Sequence, residues 1–475
     1  MTGSGSSLPA IPLHVTFEEV CRDLRKPGGV DARFSTMATI AEHRSDFVRA
    51  AHATWKRWHV EAVHQILVFD AFAKAEQARP IGTPAKEFAD FQRALWRRVN
   101  DAIVWSVWGS QRHIVKRLCL YRPRTFLAES NAAMVMNVIS QLNANPLNLA
   151  LWTDATSCVD IGDVLWIPDG LRPDPEFLEL KEGPVNEAIL DMVALQGAEL
   201  ETRLDQFHTK YGRRGFKQIQ RIIRQKRVGD QVLNLLRDER GVDPASGSEI
   251  EIVDLGVQPE FYDDSLNALL CTALESHGEV IELVAECLWV YANADPAVSR
   301  VSAEQRFERF LAEKLPRAYC RGRLARREPT DRDRIASLLW SFYQPIAKPL
   351  FLRELDPHLV GSAIAGELAF KIFVYLDVER FAALIDSSGA TWKWGTDKEL
   401  RRSVSSPSAL RPVTFSGKLP VIQVGECRTS ITDPAMVQML FDGVTPRTIA
   451  RMLVAHGERM HARAHGHDSG AGAPK

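Results

Sequence analysis

An acidic and a basic side chain stand two residues apart near the middle of the chain, in Glu176-Phe-Leu-Glu-Leu-Lys181. The run is rich in strand formers and is followed by the turn signal Gly183-Pro184, so it predicts a short β-strand. Residues two apart in a strand point to the same side, so Glu179 and Lys181 are expected to project together. A carboxylate and an ammonium group placed side by side could act on a phosphate ester and its attacking water.

A second carboxylate is expected beside this pair. Asp163 opens another predicted strand, Asp163–Ile167, which ends at Pro168-Asp169-Gly170. If the two strands are neighbours, Asp163 and Glu179 supply oxygen ligands for Mg²⁺ or Mn²⁺, with the Leu180 carbonyl as a candidate third ligand. A metal there would activate a water and polarise a phosphoryl oxygen.

Two further acids enter this hypothesis. Asp160 competes with Asp163 for the acidic role, and we favour Asp163 because an apolar strand follows it directly. Glu129 lies in a predicted helix over 127–142 and could accept a hydrogen bond from a metal-bound water. The alternative is that Asp163 and Lys181 are ordinary strand-end charges facing water, because Glu-x-Lys alone recurs by chance in a chain of this size.

A strongly basic helical stretch follows the predicted strands. Between Gln206 and Arg227 there are eight Lys and Arg residues and no acid. Lys217, Arg221 and Arg224 share one helical face, which suits contacts to phosphates. The candidate nucleic-acid-binding residues are Lys210, Arg213, Arg214, Lys217, Gln218, Arg221 and Arg224. A solvated face, or one paired with acids elsewhere, is the competing interpretation.

Together these features resemble the PD-(D/E)XK nuclease superfamily, which has a restriction-endonuclease-like core. The resemblance covers residues 125–227 and depends on Glu129, on Asp163 in Val-Asp-Ile-Gly-Asp-Val-Leu-Trp-Ile, and on Glu179-x-Lys181. It implies an αβββαβ core, metal-dependent phosphodiester hydrolysis, and Asp163, Glu179, Lys181 and Glu129 as catalytic residues. It also suggests, by association, a role in bacterial anti-phage defence.

The sequence departs from the family pattern in two places. The first motif, at Asp163, lacks the proline that precedes the aspartate in the family pattern. A nearby Pro-Asp pair, Pro168-Asp169, lies in the following turn. The Gln-x-x-x-Tyr of some branches has its nearest match in Gln206 and Tyr211, which is one residue too long. Gln218 on the basic helix is another candidate for that glutamine.

The elements that must position these residues are mostly helical. Apolar residues recur every three to four positions from Phe47 to Phe69 and again over 88–108, which predicts two long helices. We expect an N-terminal helical region over 1–120 and a nuclease-like core with the basic helix over 121–245. The fold class predicted for the whole chain is α+β and predominantly helical, with a small mixed sheet.

The C-terminal half is expected to hold a helical domain over 246–365, a small α+β unit over 366–460 and a disordered tail over 461–475. Within the helical domain, Val280–Val290 and Ile335–Phe342 are predicted to be helical. Short strands are predicted in the smaller unit at Lys371–Leu376, Thr391–Trp394, Val413–Phe415 and Val421–Val424.

Composition narrows the class of protein. The 475 residues include 59 Lys and Arg against 60 Asp and Glu, a net charge of −1, so any nucleic-acid surface must be a local patch. No apolar run reaches the ~20 residues of a membrane helix, and the start lacks a secretion-signal pattern. The seven cysteines include no Cys-x-x-Cys pair, which argues against a disulfide framework or a thiolate zinc site.

We therefore expect a cytoplasmic, metal-dependent nuclease that acts on nucleic acid, with DNA favoured over RNA and no membrane partner. The helical regions are candidates for binding a protein partner or a second copy of the chain. The alternative is a non-enzymatic helical scaffold with a degenerate nuclease-like core.

Overall fold

The computed structural model describes residues 17–26, 37–76, 84–169, 175–180, 188–189, 197–244, 247–315, 335–364, 370–405, 412–415 and 417–465. The chain divides into two compact units. Unit 1 contains Met1–Pro9 and Lys26–Ile252, and unit 2 contains Ala10–Arg25 and Val253–Lys475. Helix α1 (Phe17–Arg25) therefore belongs to unit 2 although it lies near the N-terminus.

Unit 1 begins with helices, as predicted. They are α2 (Met37–Glu42), α3 (Arg44–Glu76), α4 (Pro84–Val107) and α5 (Arg112–Leu118). Helices α3 and α4 pack along each other because each buries an apolar stripe at helical spacing. The 33-residue α3 contributes Trp55, Trp58, Ile66 and Phe69 to the core, so the first long predicted helix is confirmed.

The helix predicted over 127–142 is divided in two. A single 3-10 turn covers Leu127–Glu129, and α6 (Ala132–Leu142) starts afresh after it. The Asn131 side chain accepts a hydrogen bond from the Met134 backbone N–H at 3.3 Å and so caps α6. Glu129 is therefore in the turn before the helix.

Three strands follow and form an antiparallel meander in the order β1-β2-β3. They are β1 (Leu149–Trp152), β2 (Val164–Ile167) and β3 (Glu176–Leu178). The second and third strands were predicted, and the first was not. Every strand pairing among the described residues is antiparallel, so the expected mixed sheet is not found there.

Unit 1 ends with a long helix and a small hairpin. Helix α7 (Gly197–Asp238) carries the basic stretch, and it is followed by β4 (Arg240–Val242) and β5 (Glu249–Glu251), which pair with each other. The backbone of α7 is interrupted at Gly212, where φ is 56° and ψ is −149°. Side chains avoid this conformation, so glycine permits a sharp bend that a regular helix would not make.

Unit 2 is organised by a four-stranded sheet in the order β6-β7-β9-β8. Its elements up to the last strand of that sheet are α8 (Asp263–Ser276), β6 (Glu279–Val284), β7 (Leu288–Asn293), α9 (Arg300–Lys314), β8 (Ala336–Ser337), α10 (Pro357–Ile364) and β9 (Lys371–Leu376). One face of the sheet packs against α9 through Tyr291, Phe307 and Phe373.

Two helix predictions in unit 2 are wrong. The run Val280–Val290 forms the β6–β7 hairpin, because its β-branched residues can alternate across a sheet and the chain reverses at Ala285 and Glu286. The run Ile335–Phe342 forms β8 and then a 3-10 helix, Leu338–Tyr343. Strand β9 pairs with β7 and β8, so the sheet also crosses the predicted boundary at residue 365.

The remaining elements complete unit 2. They are α11 (Val378–Ser387), β10 (Thr391–Trp394), α12 (Asp397–Ser405), β11 (Pro420–Val424), β12 (Cys427–Thr429), α13 (Asp433–Leu440) and α14 (Pro446–Ala464). The strands predicted at Lys371–Leu376, Thr391–Trp394 and Val421–Val424 are confirmed, whereas Val413–Phe415 forms only isolated bridges.

Helix α14 continues to Ala464, so the predicted tail starts too early, and residues 466–475 lie outside the described part of the chain. Over the described residues, we find no helix with the length and apolar character needed to span a membrane.

Candidate active site

The meander in unit 1 brings two of the predicted acids together. Strands β2 and β3 pair with Val164 opposite Leu178. Asp163 directly precedes Val164, and its N–H donates to the Leu178 carbonyl, so it lies beside the end of β3. Glu179 directly follows Leu178. The two acids therefore flank the last pair of residues at the same end of this sheet.

Backbone and side-chain hydrogen bonds hold Asp163 in place. Its N–H donates to the Leu178 carbonyl at 2.8 Å, and its carbonyl accepts from the Thr153 N–H at 3.1 Å. Its carboxylate Oδ2 accepts from the Leu180 N–H at 2.6 Å. These bonds fix the position of the acid relative to both neighbouring strands.

The turn before Asp163 depends on a glycine. Gly162 has a positive φ of 67°, and a Cβ on it would lie 3.1 Å from the Leu178 carbonyl oxygen. Only glycine lets the chain approach β3 this closely in that conformation. The glycine of the predicted motif Val-Asp-Ile-Gly-Asp therefore has a structural reason.

Leu180 contacts Asp163 through its backbone N–H. Its carbonyl as a metal ligand stays a prediction. Lys181, the predicted partner of Glu179, lies outside the described residues.

Glu129 is engaged elsewhere in unit 1. Its carboxylate pairs with the Lys74 ammonium group at 3.4 Å, and its side chain is 53% exposed. The turn that carries it is held by Asp70, whose carboxylate accepts from the Leu127 N–H at 2.5 Å. Its contact with a metal-bound water stays a prediction.

A third acid near the pair was missed in the sequence. Asp154 follows β1, and the end of β1 lies beside the start of β2. Burial raises the pKa of Asp154 above its ordinary value, Arg124 and Arg97 lower it, and the negative charges of Asp160 and Glu179 raise it. An acid two residues after the end of a strand was the available signal, but β1 itself was not predicted.

Asp160, the competitor of Asp163, has a structural task. Its side chain is only 1% exposed and pairs with the Arg124 guanidinium at 2.8 Å. It also accepts from the Leu120 N–H at 2.5 Å, so it fixes the segment that leads away from α5. This burial favours Asp163, which is half-buried, as the acid available to a ligand.

A buried arginine, Arg97, and a half-buried one, Arg124, border Asp154. Arg97 donates to the Thr125 carbonyl at 2.9 Å, and Arg124 donates to the Val159 carbonyl at 3.0 Å. Burial, reinforced by the charge of Arg93, lowers the pKa of Arg97 to about 10. The guanidinium groups therefore balance negative charge beside the acidic end of the sheet.

The basic helix approaches the same end of the sheet. A Cβ on Gly229 of α7 would lie 3.9 Å from Cγ2 of Ile161, two residues before Asp163. At a rise of about 1.5 Å per residue, Arg224 lies about 7 Å along the helix from this point and Arg213 about 24 Å. The helix thus extends a row of cations outward from the carboxylate pair.

Most of the predicted nucleic-acid-binding residues are on the surface of this helix. Lys210, Arg213, Lys217, Arg221 and Arg224 are exposed, and Gln218 is half-buried. The Arg214 side chain lies outside the described part of the structure. The exposed row matches the expected cationic face, and the half-buried Ile219 and Ile222 lie behind it.

The described acids do not form a closed metal cage. Within the described ranges, no group of three or more His, Cys, Asp or Glu side chains is arranged to hold a metal. Mg²⁺ commonly binds through one or two carboxylates and completes its shell with waters and substrate phosphates. Asp163 and Glu179 therefore stay the predicted ligands of such an ion.

Comparison with known proteins provides no assignment for this arrangement. No family model, curated protein or solved structure matches the chain.

Proposed function

We propose that the chain is a metal-dependent nuclease that hydrolyses phosphodiester bonds in DNA or RNA, with DNA the favoured substrate. One observation carries the proposal: Asp163 and Glu179 flank the paired residues Val164 and Leu178 at the end of the sheet, and Gly229 of the basic helix α7 approaches Ile161, two residues before Asp163. An acidic pair able to hold a divalent ion beside a row of cations suits a substrate made of linked phosphates.

In this proposal, Asp163 and Glu179 hold Mg²⁺ or Mn²⁺. The bound ion would lower the pKa of a coordinated water and polarise a phosphoryl oxygen. The hydrogen bond from Leu180 to Asp163 orients one ligand in advance, which reduces the cost of ordering the site. Lys181 follows directly in the sequence and is the proposed donor to the phosphate or the water.

The exposed cations of α7 position the substrate. Phosphate contacts from Lys217, Arg221 and Arg224 carry no sequence information but fix the register of a strand on the protein. From Arg213 to Arg224 the helix rises about 16 Å, which matches roughly five nucleotides of one strand in a duplex. The row can therefore guide a strand toward the carboxylates.

A non-enzymatic scaffold is the second candidate. It is favoured by the engagement of the predicted catalytic acids in structural contacts: Asp163 accepts from Leu180, and Glu129 pairs with Lys74. In that case the charges of this region would stabilise the fold, and the basic helix would bind without cleavage.

Cleavage assays separate the two candidates. Plasmid, linear DNA and RNA are incubated with the protein in Mg²⁺ or Mn²⁺, together with Glu179→Gln and Lys181→Ala. The matched control is Glu176→Gln, which neutralises an exposed carboxylate at the opposite end of β3. The proposal expects metal-dependent cleavage by the parent and the control and its loss in the other two variants. Equal cleavage by all four proteins, or none by the parent, contradicts it.

A further inference from the structure

Helix α7 is bent into two arms that pack against each other. Phe207 on the first arm belongs to a small apolar cluster with Ile219 and Ile222 on the second. In a straight helix these isoleucines would lie about 18 Å and about 22 Å further along the axis. The bend at Gly212 therefore folds the arms together. A Cβ on Gly215 would lie 2.6 Å from a Phe207 ring carbon, so the arms meet very closely.

The bend exposes an aromatic pair among cations. Phe216 is 42% exposed, and its ring meets the His208 ring edge-on at 5.5 Å. Lys210, Arg213 and Lys217 are exposed on the turns to either side. We call these five residues the tip of α7. An exposed aromatic ring offers a flat apolar face for stacking, and the cations beside it attract negatively charged ligands.

We propose that the tip of α7 binds an unpaired base of a single-stranded nucleic acid, which stacks on Phe216 while Lys210, Arg213 and Lys217 contact the adjacent phosphates. Surfaces that bind single strands combine a positive track with aromatic rings, because every base has a flat face that can stack. As an account of substrate class this rests on the proposed nuclease function, but binding itself can be tested without cleavage.

The position of the tip suits a strand that continues to the carboxylates. Phe216 precedes Gly229 by 13 residues, so it lies about 20 Å along the helix from the contact with Ile161. A single strand has charges along this whole distance and can follow Arg221 and Arg224 between the two points. A second copy of the chain is a poorer occupant, since two cationic tips would repel each other.

Binding is measured by fluorescence anisotropy in EDTA, which removes divalent ions and prevents metal-dependent cleavage. The probes are a labelled single strand of about 16 nucleotides, the duplex of the same sequence and an abasic strand of the same length. The variants are Phe216→Leu, which keeps apolar bulk without a ring, and Phe216→Tyr, which keeps the ring. The matched control is Phe261→Leu, because Phe261 is 46% exposed and also has a lysine, Lys348, 5.2 Å from its ring.

The parent should bind the base-containing strand more tightly than the abasic strand or the duplex. Phe216→Leu should weaken that binding about 5- to 150-fold, the range for losing one stacked base, while Phe216→Tyr and Phe261→Leu keep it within about threefold. Equal affinity of the parent for the three probes, or an unchanged affinity in Phe216→Leu, overturns the inference.

Binding to lipid vesicles tests the alternative that the tip of α7 contacts an anionic membrane surface. If Phe216→Leu abolishes binding to vesicles of phosphatidylserine and phosphatidylcholine but not to the single strand, the tip is a membrane contact and the inference is wrong. Failure of the nuclease proposal looks different: the base-containing strand is still bound in a Phe216-dependent way, but no metal supports cleavage.

Discussion

Replacing Asp163 by asparagine separates the structural task of this side chain from its proposed role as a metal ligand. Asparagine keeps an oxygen that can accept from the Leu180 N–H, a bond of 2.6 Å in the structure. A hydrogen bond to a charged group stabilises by about 1.5–3 kcal/mol and a neutral one by about 0.5–1.5 kcal/mol, so the loss is about 1 kcal/mol.

The expected effect on activity is much larger. Metal catalysis contributes several kcal/mol of transition-state stabilisation, and each 1.4 kcal/mol is a factor of ten in rate, so Asp163→Asn should lower the cleavage rate by about 100-fold or more. Mg²⁺ should stabilise the parent by about 2.7 kcal/mol at a concentration 100 times its dissociation constant, and the variant much less.

Two assays test this difference: thermal unfolding with and without Mg²⁺, and cleavage of labelled DNA. Asp163→Ala is the comparison, because it leaves the Leu180 N–H without this acceptor and should cost about 1–3 kcal/mol. The reasoning is refuted if Asp163→Asn cleaves at a rate within a few-fold of the parent. It is also refuted if Mg²⁺ stabilises both proteins equally.

Three other predictions concern the frame around the site and unit 2. Buried His59 accepts from the Trp152 N–H at 3.1 Å through Nε2, and burial lowers its pKa to about 4. The unfolded chain binds the His59 proton at a higher pH than the folded chain does. The free energy of unfolding should therefore fall by about 1 kcal/mol for each unit by which the pH is lowered from 6.5 to 4. His59→Gln should reduce this pH dependence in unfolding curves. Gly212→Ala forces a side chain into a conformation that only glycine favours, so hydrogen exchange in α7 should rise and single-strand affinity should fall; unchanged exchange would contradict the bend. Arg353 is fully buried against Asp263, and its Nε donates to Oδ1 of Asp263 at 2.9 Å. Changing Arg353 to alanine should lower the free energy of unfolding of unit 2 by about 3–5 kcal/mol in thermal unfolding, because it leaves a buried charge unpaired. A loss under 1 kcal/mol would argue against a desolvated pair.

The two strands that lead to Asp163 and Glu179 were predictable because turn residues mark their boundaries. Asp163 starts a strand that ends in Pro168-Asp169-Gly170, and Glu179 ends one that leads into a Gly-Pro turn. The strand-forming residues and the turn residues around them thus define both strands. Antiparallel pairing brings the first residue of one strand beside the last residue of the other. The structure adds the hydrogen bond from Leu180, which no spacing rule specifies.

Other parts of the site could not be predicted from local patterns. The four-residue β1, Leu-Ala-Leu-Trp, is a short apolar run, and periodicity cannot distinguish such a run from a helical segment. Without β1, Asp154 had no expected place near Glu179. The partner of Glu129 depends on how the 3-10 turn lies against α3, which is a tertiary contact.

The β6–β7 hairpin shows how a missing turn signal misleads. The chain reverses at Ala285 and Glu286 with φ of 48° and 69°, a conformation that usually requires Asn or Gly. Since neither residue signals a turn, the apolar residues on both sides merge into one helix-like run. The bend in α7 did have a signal, the two glycines at 212 and 215, but helix-forming residues on both sides obscured it.

Calorimetric titration of Mn²⁺ into the metal-free protein tests the central claim most directly, because it measures metal binding by Asp163 and Glu179 in the absence of substrate. We expect one ion to bind per chain. Glu179→Gln should lower the affinity for Mn²⁺ at least about tenfold, because a site that loses one of its two carboxylates loses a large share of its attraction for the ion. Glu176→Gln should leave the affinity unchanged. The account is contradicted if the parent binds no Mn²⁺, or if Glu179→Gln binds it as tightly as the parent does.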